Sequence, residues 1–239
     1  MDNPDQSGKS KTGVDPTDKE EPKGLISADR LKALANGVFA VAMTLLVLEL
    51  VVPQIRDPSN QELTHALLSM WPKFLAYVLS FLIAGIFWLV HHSIFDAIKY
   101  YDSTLVWIKV LLLLLVALVP FTTSLLGEYF LQKTATIIYG VHLLFLFFGG
   151  FSLWSYSTSK HLLVVKDLDP GLVKGAKRMC YLYFVILSAA IIIGFFHPLI
   201  SVIIYGLFVL IILVFTGVGK AHQVFTFTNP NTFNHERKG

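Results

Sequence analysis

In the stretch Arg30–Leu50, RLKALANGVFAVAMTLLVLEL, a few polar groups are set at intervals into an aliphatic run. Arg30, Lys32 and Asn36 stand at its start, Thr44 in its middle and Glu49 at its end, with small residues (Gly37, Ala40, Ala42) between. A helix that only anchors a protein has no use for such grading. A helix lining a route for ions does, because it needs a polar mouth and a surface on which an ion sheds or keeps its water. At about 100° per residue, Gly37, Val41, Thr44, Leu45 and Leu48 fall on one stripe. Two readings stay open. The stripe is either a helix–helix seam, with Gly37 allowing close approach, or a hydrophobic constriction made where several copies meet on an axis. Thr44 either turns its hydroxyl to ions or bonds its own i−4 carbonyl.

A second group of residues carries charge and hydrogen bonds. Arg30 and Asn36 open the first apolar segment, and Trp88, His91 and His92 close the second, so the two sets lie at the same membrane depth on neighbouring helices. Ionisable groups inside a membrane usually pair and face the protein interior. Arg30, Asn36, Trp88 and His91 therefore form a candidate buried network; the alternative is a hydrated His pair at headgroup level with no role. Glu49, at the other end of the first segment, is a candidate outer-mouth carboxylate that would concentrate cations if repeated around an axis, or an idle interfacial acid. His142 and His197 are isolated and read as structural.

The elements that must position these residues are membrane helices. Of 239 residues, 54% are hydrophobic, 13% aromatic and only 15% charged, against roughly 25% charged in an ordinary soluble domain. The apolar residues fall in runs of about 18 or more, the length that crosses a bilayer core as a helix. Six spans are predicted: Ala33–Val52 (stopped by Pro53), Trp71–His92, Thr104–Leu126 (kinked by Pro120), Thr134–Trp154, Met179–Phe196 and Leu199–Val218, with His197-Pro198 forcing a tight turn between the last two. The fold class is all-α and polytopic. Residues 1–28 read as a disordered polar tail, 29–220 as the six-helix domain and 221–239 as a C-terminal tail.

An even number of spans puts both termini on one side. That side carries fifteen of the 19 Lys and Arg, the opposite side only Arg56, Lys73 and Lys133, and Lys109 sits a turn inside the third span, placed to snorkel back. Basic loops stay in the cytosol, so both termini are expected to be cytoplasmic.

Several classes are disfavoured by what the sequence lacks. No span carries Arg at every third position, as a voltage sensor would. There is no TVGYG filter, Walker A loop or HExxH pair, so no enzymatic chemistry and no cofactor is indicated. Cys180 is the single cysteine and can make no internal disulfide. The net charge of +3 is accounted for by topology rather than by a nucleic-acid partner. No inverted repeat or mid-depth interruption marks a secondary transporter. A pore built by identical subunits on one axis fits better; a secondary carrier or proton-coupled exchanger using His91 and Arg30 as a relay is the alternative, and a membrane scaffold the third class.

Three stretches carry a family resemblance. Arg30–Leu50, WPKFLAYVLSFLIAGIFWLVHH (Trp71–His92) and LVPFTTSLLGEY (Leu118–Tyr129) resemble the first, second and third helices of the prokaryotic branch of the transmembrane protein 175 potassium channels, and the likeness extends over about Arg30–Val218. The resemblance implies a homotetrameric potassium channel of a prokaryotic plasma membrane, modestly selective over sodium. Its pore would be lined by the first helix of each subunit, with large aliphatic side chains as the constriction and a threonine favouring potassium. Those positions fall on Val41, Leu45 and Leu48, and on Thr44. The family's Arg, Trp and His match Arg30, Trp88 and His91. The chain departs from the family where Leu34, Ala35 and Asn36 replace a Phe-Ser-Asp triplet, so Asn36 offers neutral hydrogen bonds where a carboxylate is expected. Val41 is also smaller than the family's residue, which moves the narrowest ring toward Leu45 or Leu48.

Overall fold

The structure, a computed structural model, describes residues 28–55, 59–96, 101–159 and 170–217. These form eight α-helices and no strand among the described residues: α1 Ala28–Leu48, α2 Asn60–Ser69, α3 Trp71–Asp96, α4 Ser103–Ala117, α5 Val119–Glu128, α6 Lys133–Ser159, α7 Pro170–Gly194 and α8 Pro198–Gly217. The expected polar tails lie outside the described residues except for Ala28, which opens α1. Five stretches are long and apolar enough to cross a bilayer, the α4–α5 pair counting as one, and α8 supplies the shorter sixth. At 20 residues, α8 spans about 30 Å, the thickness of the hydrocarbon core.

Three expectations are corrected. The first span ends at Leu48, not Val52, because Pro53 disfavours a helical Val52 and the β-branched pair Val51–Val52 does not resist it. The third span is not one kinked helix but two helices meeting at Leu118. Lys109 does not snorkel: it is 0% exposed, with its ammonium 5.7 Å from the centre of the Tyr101 ring. One helix was unforeseen. α2 begins at Ser59, whose hydroxyl accepts the Glu62 amide hydrogen at 3.1 Å, the first half of an S-x-x-E capping box.

α6 runs through the middle of the bundle, touching α3, α4, α5, α7 and α8, while α1 lies at one margin against α3, α4 and α5. Lipid is as apolar as the core, so the helices are held by close fit and by hydrogen bonds rather than by expulsion from water. Phe147 of α6 makes edge contacts with Phe87, Tyr183 and Phe208 from α3, α7 and α8, at ring separations of 4.9, 5.8 and 5.1 Å. Ser80 and Tyr139 share a hydrogen bond of 3.0 Å between α3 and α6, and Ser201 donates to the Ala190 carbonyl at 2.8 Å. A Cβ on Gly140 would lie 2.0 Å from the Tyr205 hydroxyl, so only glycine lets α8 come this close to α6.

The α4–α5 break has a specific cause. Pro120 has no N–H to give and its ring obstructs the preceding turn. The Leu118 amide reaches back to both Leu114 (3.3 Å) and Leu115 (3.1 Å), a tightened last turn. Side chains bond to backbone and hydroxyl groups on both sides of the break. Thr123 donates to Val119 O at 2.7 Å, and His142 of α6 meets Leu115 O through Nε2 at 2.9 Å and Thr122 Oγ1 through Nδ1 at 2.8 Å. His142 is therefore not isolated: it joins both halves of the broken span to α6.

Candidate pore-lining flank

α1 has two unlike halves. Leu31, Ala35, Phe39, Ala42 and Leu46 are buried against the bundle. The other half of its circumference is largely uncovered within the chain, and all four proposed constriction residues lie on it. Val41 is 56% exposed, Leu45 42% and Leu48 68%, and Thr44 is exposed with them. Gly37 shares this flank, and a Cβ there would meet nothing within 4 Å. Nothing within the chain requires glycine at that position. An apolar groove runs along the same flank, lined by Gly37, Val41 and Leu45 and closed on one side by Ala117 at the end of α4.

The Thr44 hydroxyl reaches the Ala40 and Val41 carbonyls of its own helix, both at 2.9 Å. This is the local bond usual for a membrane threonine. It does not remove Thr44 from ion chemistry, because a hydroxyl that donates inward keeps oxygen lone pairs to accept with.

At the Arg30 end of α1, part of the expected polar network is assembled. Trp88 Nε1 donates to Asn36 Oδ1 at 3.1 Å. Trp88 also stacks on His92, with ring centres 5.5 Å apart and planes 18° from parallel. His91 is buried and meets Phe39 of α1 at a ring separation of 5.5 Å. Arg30 is exposed and makes no hydrogen bond or ion pair among the described residues. Asn36, Trp88 and His91 are thus brought to the α1–α3 seam, but of these only His91 is buried, and Arg30 is not joined to them. Glu49 sits half-buried in the turn just past the helix, its amide on Leu46 O at 3.3 Å. Among the described residues no three His, Cys, Asp or Glu side chains gather as metal ligands.

Neither the groove beside Ala117 nor the cross-helix bonds of His142 is legible in the sequence. The bonds join positions 20 and 27 residues apart, and periodicity carries no information at that range.

Comparison with known proteins places this architecture. The family model described as endosomal/lysosomal potassium channel TMEM175 matches residues 30–120, which contain α1 but for its first two residues, the α1–α3 seam and all of α4. A potassium channel of Streptomyces collinus is 42% identical over 107 residues, covering 45% of this chain and 51% of that protein, so the chain matches about half its length. A potassium channel of Chamaesiphon minutus is 36% identical over 143 residues, covering 59% and 70%. The crystal structure of a lysosomal potassium-selective channel TMEM175 homolog from the same organism superposes with a TM-score of 0.68 at 30% identity, over 78% of this chain and 96% of that one. A relative in Danio rerio, 39% identical over 80 residues (31% of this chain, 15% of that protein), is named an endosomal/lysosomal proton channel. With most of the Chamaesiphon relatives covered at this identity and the helices superposing, the chain belongs to the TMEM175 potassium-channel family.

Proposed function

We propose that this chain is a passive potassium channel that works as a homotetramer, with four copies of α1 around a central axis. The observation that carries this reading is the bare half of α1, where Val41, Thr44, Leu45 and Leu48 are exposed on a helix whose other half is buried. Facing one another across an axis, Leu45 and Leu48 form aliphatic rings through which an ion passes only after losing part of its hydration shell. Potassium holds its water less tightly than sodium, so such a ring favours potassium without a carbonyl filter. The Thr44 oxygens offer replacement ligands just before or after the constriction. Glu49, repeated around the axis, raises cation concentration at one mouth. Both termini face the cytosol of a prokaryotic cell, which puts the Asn36–Trp88 bond on the cytoplasmic side and Glu49 on the outer side. No bond is made or broken in the process, so no cofactor is called for.

The test is planar-bilayer recording of purified protein under opposed potassium and sodium gradients at controlled pH. The expected result is unitary current whose reversal potential follows potassium more closely than sodium. Saturable, pH-coupled uptake without unitary events would replace the channel with a carrier, and reversal that follows the proton gradient would replace potassium as the ion.

A further inference from the structure

We propose that His142, remote from the conducting axis, is a positioning residue for the pore: it clasps the α4–α5 break and so fixes the wall against which α1 leans. The inference rests on the pore reading above. Its basis is geometric. Leu115 O can only accept, so His142 Nε2 carries the hydrogen of that 2.9 Å bond, and in the neutral ring Nδ1 then accepts from the Thr122 hydroxyl at 2.8 Å. One imidazole thus bridges the last turn of α4 and the first turn of α5, on either side of Leu118. The break is a place where the backbone can bend, because Pro120 has removed a rung of the ladder.

What lies between the clasped atoms matters to α1. Ala117, two residues past Leu115, walls the groove beside Val41 and Leu45. Val116 and Val119 on either side are buried in the core that includes Ala42 and Leu46 of α1. α1 touches both α4 and α5. A change in the angle between the two half-spans would therefore move the support under two constriction residues at once. Thr122 has a second outlet for its hydrogen, Val119 O at 3.2 Å, so losing the imidazole leaves α5 locally satisfied but unfastened from α4 and α6. His142 is then expected to set pore geometry more than to hold the bundle together.

The experiment uses full-length protein reconstituted in planar bilayers, with thermal unfolding in detergent measured in parallel. His142→Leu keeps an apolar body and loses both bonds. His142→Gln keeps a donor and an acceptor side by side and is the rescue variant. Thr122→Val removes one bond at nearly constant volume. The expected result is that His142→Leu changes unitary conductance or the potassium-to-sodium permeability ratio by at least about twofold, and that His142→Gln restores wild-type behaviour. Wild-type currents from His142→Leu would overturn the proposal, as would equal changes in the Leu and Gln variants, which would assign the effect to ring shape alone. If His142→Leu does not fold, Thr122→Val decides. Altered permeation supports the clasp, whereas a lower melting temperature with unaltered currents reduces His142 to a structural role. Should Leu45→Ala and Leu48→Ala leave currents unchanged, it is the pore assignment that fails; should they change currents while the His142 and Thr122 variants do not, only the clasp fails.

Discussion

The indole of Trp88 donates to the Asn36 side chain at 3.1 Å, tying α3 to α1. The bond falls three residues before Phe39, which seats His91 from the same face of α3. The start of α1 is thus tied to α3 by a neutral hydrogen bond and a ring contact. A relative with aspartate at this position would hold it with a charge.

Asn36→Asp is expected to strengthen the fastening. Hydrogen bonds to an ionised acceptor are roughly twice as strong as neutral ones, and Asn36 is exposed enough to carry charge. The melting temperature in detergent should rise by about 2–4 °C per kcal/mol gained. Trp88→Phe should abolish the rise, and a double-mutant cycle with no coupling between the two positions would refute the assignment.

The constriction is expected at Leu45 and Leu48. Leu45→Ala or Leu48→Ala should raise unitary conductance or weaken the preference for potassium, since each removes an aliphatic ring. Currents identical to wild type in both variants would place the narrowest point elsewhere.

Water should reach Thr44 and not Leu46, which is fully buried on the opposite half of α1. In a Cys180→Ser background, Thr44→Cys should be modified by a water-soluble methanethiosulfonate reagent with loss of current, and Leu46→Cys should not react. Modification of neither would mean that the bare flank faces acyl chains.

Two glycine substitutions should behave oppositely. Gly140→Ala forces a Cβ into Tyr205 and Ile191, at 2.0 and 2.8 Å, and overpacking of this kind destabilises by about 1–3 kcal/mol. Gly37→Ala meets open space within the chain and should leave folding intact while altering subunit association, read by light scattering on the purified protein. Equal melting losses in the two variants would contradict the geometry.

What the sequence revealed followed what periodicity can encode. The 3.6-residue repeat separated the two halves of α1, because burial alternates with helical angle and Leu31, Ala35, Phe39, Ala42 and Leu46 fall where Val41 and Leu48 do not. Span existence was equally legible from hydropathy. Ends were less so: the apolar run continues to Val52, and only the reach of Pro53 on its neighbours explains why the helix stops at Leu48. α2 was overlooked because its ten residues are too few to register as a span, although Ser59 and Glu62 signal its start. The fastening of His142 to α4 and α5 is beyond the reach of periodicity, since it depends on which helices become neighbours.

Thr44 has a consequence for how such a protein is made. Its proton is already engaged by carbonyls of its own turn, so the middle of the bare flank presents nothing that hydrocarbon rejects. A newly inserted copy can therefore reside singly among lipids, and translocation need not wait for partners. On the proposed tetramer, biogenesis would be decoupled from leak: the conduit would come into being only when copies meet, and a cell making the protein would keep its ionic gradients until then.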